Sequence, residues 1–144
     1  MTIELLKLAA LDAEDLQVLA AHGQDALIKP SDIAWLPMER RFVLAMRRFD
    51  WDAPENEPRR RLAALHFDRV SRVMQRGIDR TSDVPLNLLT ITFSPTEPPS
   101  GVIELIFSAG AAIRLEVECI EAQLADIGPA WEVAARPHHA ADKT

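Results

Sequence analysis

GVIELIFSAGAAIRLEVECIEAQLADIGPAW, residues 101–131, changes its hydrophobic period once, from two to about 3.6. Ile103, Leu105 and Phe107 alternate with Glu104, Ile106 and Ser108, and Ile113, Leu115 and Val117 alternate with Arg114, Glu116 and Glu118. Such alternation marks antiparallel strands with one face on a core. A three-residue loop Ser108-Ala109-Gly110 pairs Leu105 with Ile113 and Ile103 with Leu115, which keeps every apolar residue on one face. It also sets Glu104 opposite Arg114, an attractive cross-strand pair, and places Gly110 where the loop needs a left-handed residue. From Ile120 the apolar residues Ile120, Leu124 and Ile127 recur at i, i+4 and i+7, and Gly128-Pro129 reads as a stop. This spacing predicts a short C-terminal helix docked by one stripe on the inner sheet face.

Working outward, Leu5–Ala10 reads as a short strand or lead-in. Asp12 reads as the cap of a helix with Glu14 and Asp15 in its first turn, ending near Gly23. Extended segments follow at 26–28 and 33–36, interrupted by Lys29-Pro30-Ser31, and a turn occupies 37–40. A strand over 41–51 carries Phe42, Leu44 and Met46 on one face. Residues 52–59 (DAPENEPR) form a polar loop, and 62–78 fits either a strand entering a bend or an amphipathic helix, read here as extended at 63–67 and 70–76. Leu86–Phe93 is a further strand between two loops. The order is helix, four strands, three strands, helix, which argues an α+β fold. It comprises a curved antiparallel sheet of about six to seven strands, a roll or partial barrel, with an N-terminal and a C-terminal helix packed on it. Residues 1–131 form one domain and 132–144 a flexible tail.

The chain of 144 residues is long enough for a core without metal or disulfide support. One cysteine, Cys119, excludes an internal disulfide and fits a reducing compartment. Residues 1–4 carry no basic, apolar leader, and no run approaches eighteen apolar residues, so a cytoplasmic location without a membrane partner is expected. Residues 40–80 hold eleven basic and six acidic residues in a chain of net charge −6. The candidate ligand-binding residues fall here: Arg59, Arg60, Arg61, His66, Asp68, Arg69 and Arg72. Arginines so clustered can meet phosphate or nucleic acid. Tyrosine is absent, however, and no aromatic motif interleaves with them, so a solvated face paired with acids is the plainer account.

His66 and Asp68, at i and i+2, share a face on a strand and could act as base and orienting carboxylate, but no third partner is identifiable. Cys119 sits among Glu116, Glu118 and Glu121, which oppose a thiolate. Those glutamates lack the converging oxygens that a divalent cation needs. Trp35, Trp51 and Trp131 fall near element ends and suit the rim of a core. No catalytic residue, metal site or cofactor is assigned.

The segments RRRLAALHFDRVSRVMQRGI (59–78), IRLEVECIEAQLADIGPAW (113–131) and LLKLAALDAEDLQVLAAH (5–22) together resemble an uncharacterised alphaproteobacterial family, a DUF2948-like domain of unknown function. The resemblance implies a bacterial cytoplasmic protein standing as one domain, and brings no activity. The residues themselves favour a non-enzymatic interaction or binding module, a homo-oligomer or the partner of another protein. The alternatives are a small anionic-ligand binder or enzyme using His66, Asp68 and nearby arginines, and RNA binding through the 40–80 face.

Overall fold

The hairpin read from residue 101 is present in the expected register. In the computed structural model, which describes residues 5–133 and Pro137, Leu105 pairs with Ile113, Ile103 with Leu115 and Glu104 with Arg114. Ala109 and Gly110 both take positive φ, 60° and 77°, and Phe107 N–H closes the loop on Ala111 O at 2.9 Å. Around it stand β1 (Lys7–Ala10), α1 (Ala13–Gly23), β2 (Leu27–Ile28), β3 (Ile33–Leu36), β4 (Arg41–Phe49), β5 (Arg59–Phe67), β6 (Val70–Arg76), β7 (Leu86–Pro95), β8 (Gly101–Phe107), β9 (Ala112–Val117) and β10 (Ala122–Glu132). Ten antiparallel strands run in the order β1-β10-β5-β4-β2-β7-β8-β9-β6, with β3 added to β4. The count exceeds the six or seven expected because β1 joins the sheet, the bend divides 62–78 into β5 and β6, and the segment expected as a C-terminal helix is the strand β10.

The helix at the N-terminus forms as its signals predict. Asp12 caps it by accepting the Asp15 N–H at 2.8 Å, and Leu16, Leu19, Ala20 and Gly23 are its buried residues. The C-terminal helix does not form: Ala122–Glu132 is the strand β10, between β1 and β5. Its inward positions are Ala122, Leu124 and Asp126, while Ile127 is 57% exposed. One inward place is taken by a carboxylate, so the period-2 pattern is hidden and Ile120, Leu124 and Ile127 imitate a helical stripe. Gly128-Pro129 is a β-bulge, not a helix stop. The register slips between Asp126↔Ala63 and Ala130↔Arg61, where a proline without an N–H is tolerated.

Two strands run through both halves of the sheet. After Phe67 the chain bends at Asp68-Arg69, with Arg69 at φ 60°, and continues as β6. Opposite it β9 continues through 118–121 into β10. Asp68 N–H bonds Glu121 O and Glu118 N–H bonds Arg69 O, at 2.8 and 3.0 Å, so the ribbon stays paired through the bend. One core results, with Phe42, Leu44, Met46, Leu65 and Phe67 from one half meeting Ile103, Leu105, Phe107, Ile113 and Leu115 from the other, over Leu16 and Leu19 of α1. The reading of a flexible tail lies largely outside the described residues. Within them, β10 runs to Glu132 and Val133 N–H bonds Pro58 O at 3.0 Å.

Candidate functional site

Alternation on β5 decides where its arginines go. Arg61 points inward with Ala63, Leu65 and Phe67, and buried charge there must be paired. Arg61 and Arg59 both donate Nε–H to Asp50 Oδ2, at 3.0 and 2.9 Å, which ties the 50–58 loop to the start of β5. Burial on its own raises the Asp50 carboxyl pKa. The two arginine hydrogen bonds outweigh it, so the group titrates below its ordinary 3.8. Arg60 donates Nη1 to the carbonyls of Asp25 and Arg47, at 3.1 and 2.9 Å, and stacks over Phe49 at 5.9 Å. Burial pulls its pKa below the ordinary guanidinium value, against the opposing field of Asp25.

A second buried pair lies on the neighbouring strands. Arg48 grips both oxygens of Asp126 at 2.8 and 2.9 Å, with side chains 2% and 0% exposed. Asp126 Oδ2 also accepts the Leu6 N–H at 2.8 Å, so the carboxylate fixes the approach to β1.

The other named residues collect at the bend. His66 Nε2 is 3.6 Å from Asp68 Oδ2, and Asp68 is held more closely by Arg41 Nε at 2.7 Å. That hydrogen bond raises the Arg41 pKa despite an opposing desolvation. Arg69 pairs with Glu121 at 3.2 Å, Arg40 with Glu118, and Arg72 with Glu116 at 3.8 Å. Further on, Arg76 donates to Gly110 O and Arg80 to Ile33 O. The structure therefore brings His66, Asp68 and Arg41 together. Arg59–Arg61 sit at the other end of β5, about 20 Å away at 3.3 Å per residue. Each arginine of the 59–80 stretch has an acid or a carbonyl of this chain as its partner. Glu116, Glu118 and Glu121, read as a polar cluster, are the acids that meet Arg72, Arg40 and Arg69. Cys119 is a half-buried free thiol. Among the described residues, no three histidine, cysteine or acidic side chains are grouped to hold a metal.

The feature that sequence reasoning passed over is the outer face of the sheet, away from α1. Where β7, β8 and β9 face outward they show Thr90, Thr92, Glu104, Arg114 and Glu116 around Val102 and Ile106, a face in which polar and charged residues predominate. Where β3, β4, β5 and β10 face outward they show Ala34 and Leu36, Val43 and Ala45, Leu62 and Ala64, Ala125 and Ile127. These residues adjoin by register: Ala34 beside Val43, and Ala45 beside Ala64 beside Ala125. Gly128 lies against this patch, since a Cβ there would stand 3.2 Å from that of Leu62. Arg41, Arg47, His66, Gln123 and Lys7 ring it. The sequence did carry the signal: FVLAM at 42–46 and LAAL at 62–65 are apolar at both parities, the pattern of strands covered on two sides.

Fold and surface together define a mostly antiparallel sheet with one packed helix, whose arginines at 59–80 are engaged within the chain and whose outer sheet face is apolar over one half. The chain belongs to the family described as "protein of unknown function (DUF2948)", whose profile matches residues 6–139. No curated protein and no solved structure matches it. Among the described residues no helix is long and apolar enough to cross a membrane.

Proposed function

We propose that this protein is a non-enzymatic interaction module that self-associates, and that the outer face of β3, β4, β5 and β10 is the surface it uses. One observation carries the reading: this is the uncovered side of a half-sheet, and its centre is apolar where antiparallel sheets are normally polar. A second copy is the occupant that fits best. The patch is built of alanine, valine and leucine and has little relief, so it suits another flat sheet face packed at about 10 Å. Its rim carries both signs of charge, Lys7, Arg41 and Arg47 against Asp68, which a two-fold arrangement can set opposite one another. The same reading takes the two-halved sheet as a roll, supported by the ribbon that β5–β6 and β9–β10 share. It places the protein in a bacterial cytoplasm, supported by its one free thiol.

The internal pairing of the arginines weighs against RNA or an anionic ligand as the main partner, because each ligand contact must first break a contact within the chain. Sedimentation velocity tests the proposal. The parent chain should sediment as a dimer at micromolar concentration and Ala64→Arg as a folded monomer. A monomeric parent, or a dimer untouched by Ala64→Arg, overturns it.

A further inference from the structure

Pairing of β7 on its second side stops early. Leu86 and Asn87 pair with β2, and Leu88 exchanges bonds with Asp25 and Ala26. From Leu89 to Pro95 the strand has β8 on one side and, among the described residues, no strand on the other. Beside that edge, against α1, runs a groove of about 420 Å³. Five consecutive residues of β7, Leu89 to Phe93, line it. A sheet face would offer alternate residues, so consecutive ones mean that the groove follows the strand edge. From α1 come Ala13, Gln17, Ala20 and Ala21, at successive turns, followed by Gln24 just past its end.

The direction of the backbone groups follows from the register. Thr96 N–H bonds Ser100 O, and the pairing from Thr90 to Pro95 is unbroken, so Thr90, Thr92 and Ser94 turn their amides to β8. Ile91 and Phe93 therefore direct N–H and C=O into the groove, and Pro95 ends the row with no N–H to offer. Among the described residues, no side chain of α1 bonds to either amide. The lining includes two glutamines and two threonines and no charged side chain.

We propose that the free edge of β7 beside α1 binds an extended, uncharged peptide segment of another protein, which adds to the sheet as a further strand at Ile91 and Phe93. A row of edge amides is complementary to an extended backbone, and a lining without charge leaves ionised side chains unpaired there. Such a strand spans Leu89 to Phe93 with four to five residues at about 3.3 Å each. This site is separate from the self-association face and does not depend on it.

The test pans a phage-displayed library of random nine-residue peptides against the full chain. The best uncharged sequence is then synthesised with free amides and with alternate amides N-methylated in each of the two phases. Binding by fluorescence anisotropy should fall about tenfold or more in one phase and change little in the other, since one phase only faces the edge. Ala21→Trp, an exposed change that fills the groove, should weaken binding similarly at unchanged thermal stability, and the peptide should slow amide exchange at Ile91 and Phe93. The proposal is overturned if only charged peptides or none enrich, or if N-methylation is without effect in both phases. It is equally overturned if exchange at these two amides slows with protein concentration alone, which assigns the edge to a second copy.

Discussion

Replacing Asp126 by alanine isolates the interaction that most shapes the C-terminal strand. In the folded chain its carboxylate accepts two bonds from Arg48 and one from the Leu6 amide, in a setting where both charged side chains are at most 2% exposed. The variant leaves a guanidinium buried without its counter-charge, which costs about 3–5 kcal/mol. The orphaned Leu6 amide adds about 1 kcal/mol. Against a total stability of about 5–15 kcal/mol for a domain, that is a large share. With a urea dependence of about 2 kcal/mol/M, the unfolding midpoint should drop by about 2 M. The double variant Arg48→Met/Asp126→Leu removes both charges at similar volume, and should recover most of the loss. Urea unfolding followed by tryptophan fluorescence reads all three chains. A loss below about 1 kcal/mol for Asp126→Ala, or a double variant no better than the single, refutes the account of β10 as a strand pinned through a buried ion pair.

Two further outcomes follow from the packing and from the loop after β4. A Cβ on Gly101 would fall 2.5 Å from the Phe93 ring and 2.6 Å from Ser94 O, so Gly101→Ala should cost about 1–3 kcal/mol in the same urea assay. A neutral result there contradicts the β7–β8 packing. Asp50 titrates below its unfolded value of 3.8, so its ion pairs stabilise the fold fully above that pH and are lost as pH falls through the folded value. The stability gap between the parent and Asp50→Asn, measured by thermal unfolding from pH 7 to 2.5, should therefore narrow below about pH 4. A gap independent of pH across that range refutes the pairing with Arg59 and Arg61.

Much of the fold was legible because its determinants are local. The 101–117 hairpin is fixed by alternation, by one cross-strand charge pair and by a left-handed loop, all within seventeen residues. The helix cap at Asp12 is likewise a three-residue event. What sequence could not disclose depends on partners far along the chain. Asp126 reads as a surface residue until Arg48, 78 positions away, is beside it, and on that one residue the C-terminal segment changed from helix to strand. The arginine run misled in the same manner, since Asp50, Asp25 O and Arg47 O are what Arg59, Arg60 and Arg61 seek. His66 and Asp68 were read as sharing a strand face, but β5 ends at Phe67 and Asp68 lies in the bend, where Arg41, 27 positions away, is its nearer partner. The apolar outer face is written locally in FVLAM and LAAL, which are apolar at both parities, with charged residues only at its rim.

Disulfide trapping across the outer sheet face tests the central claim most directly. In a Cys119→Ser background, Ala64→Cys places a thiol at the centre of the face, and Thr92→Cys places one beside Glu104 on the outer face of the other half. Under mild oxidation at micromolar protein, the account predicts rapid, near-complete cross-linked dimer for Ala64→Cys and little for Thr92→Cys. Equal, slow cross-linking at both positions would show collision without association and contradict it.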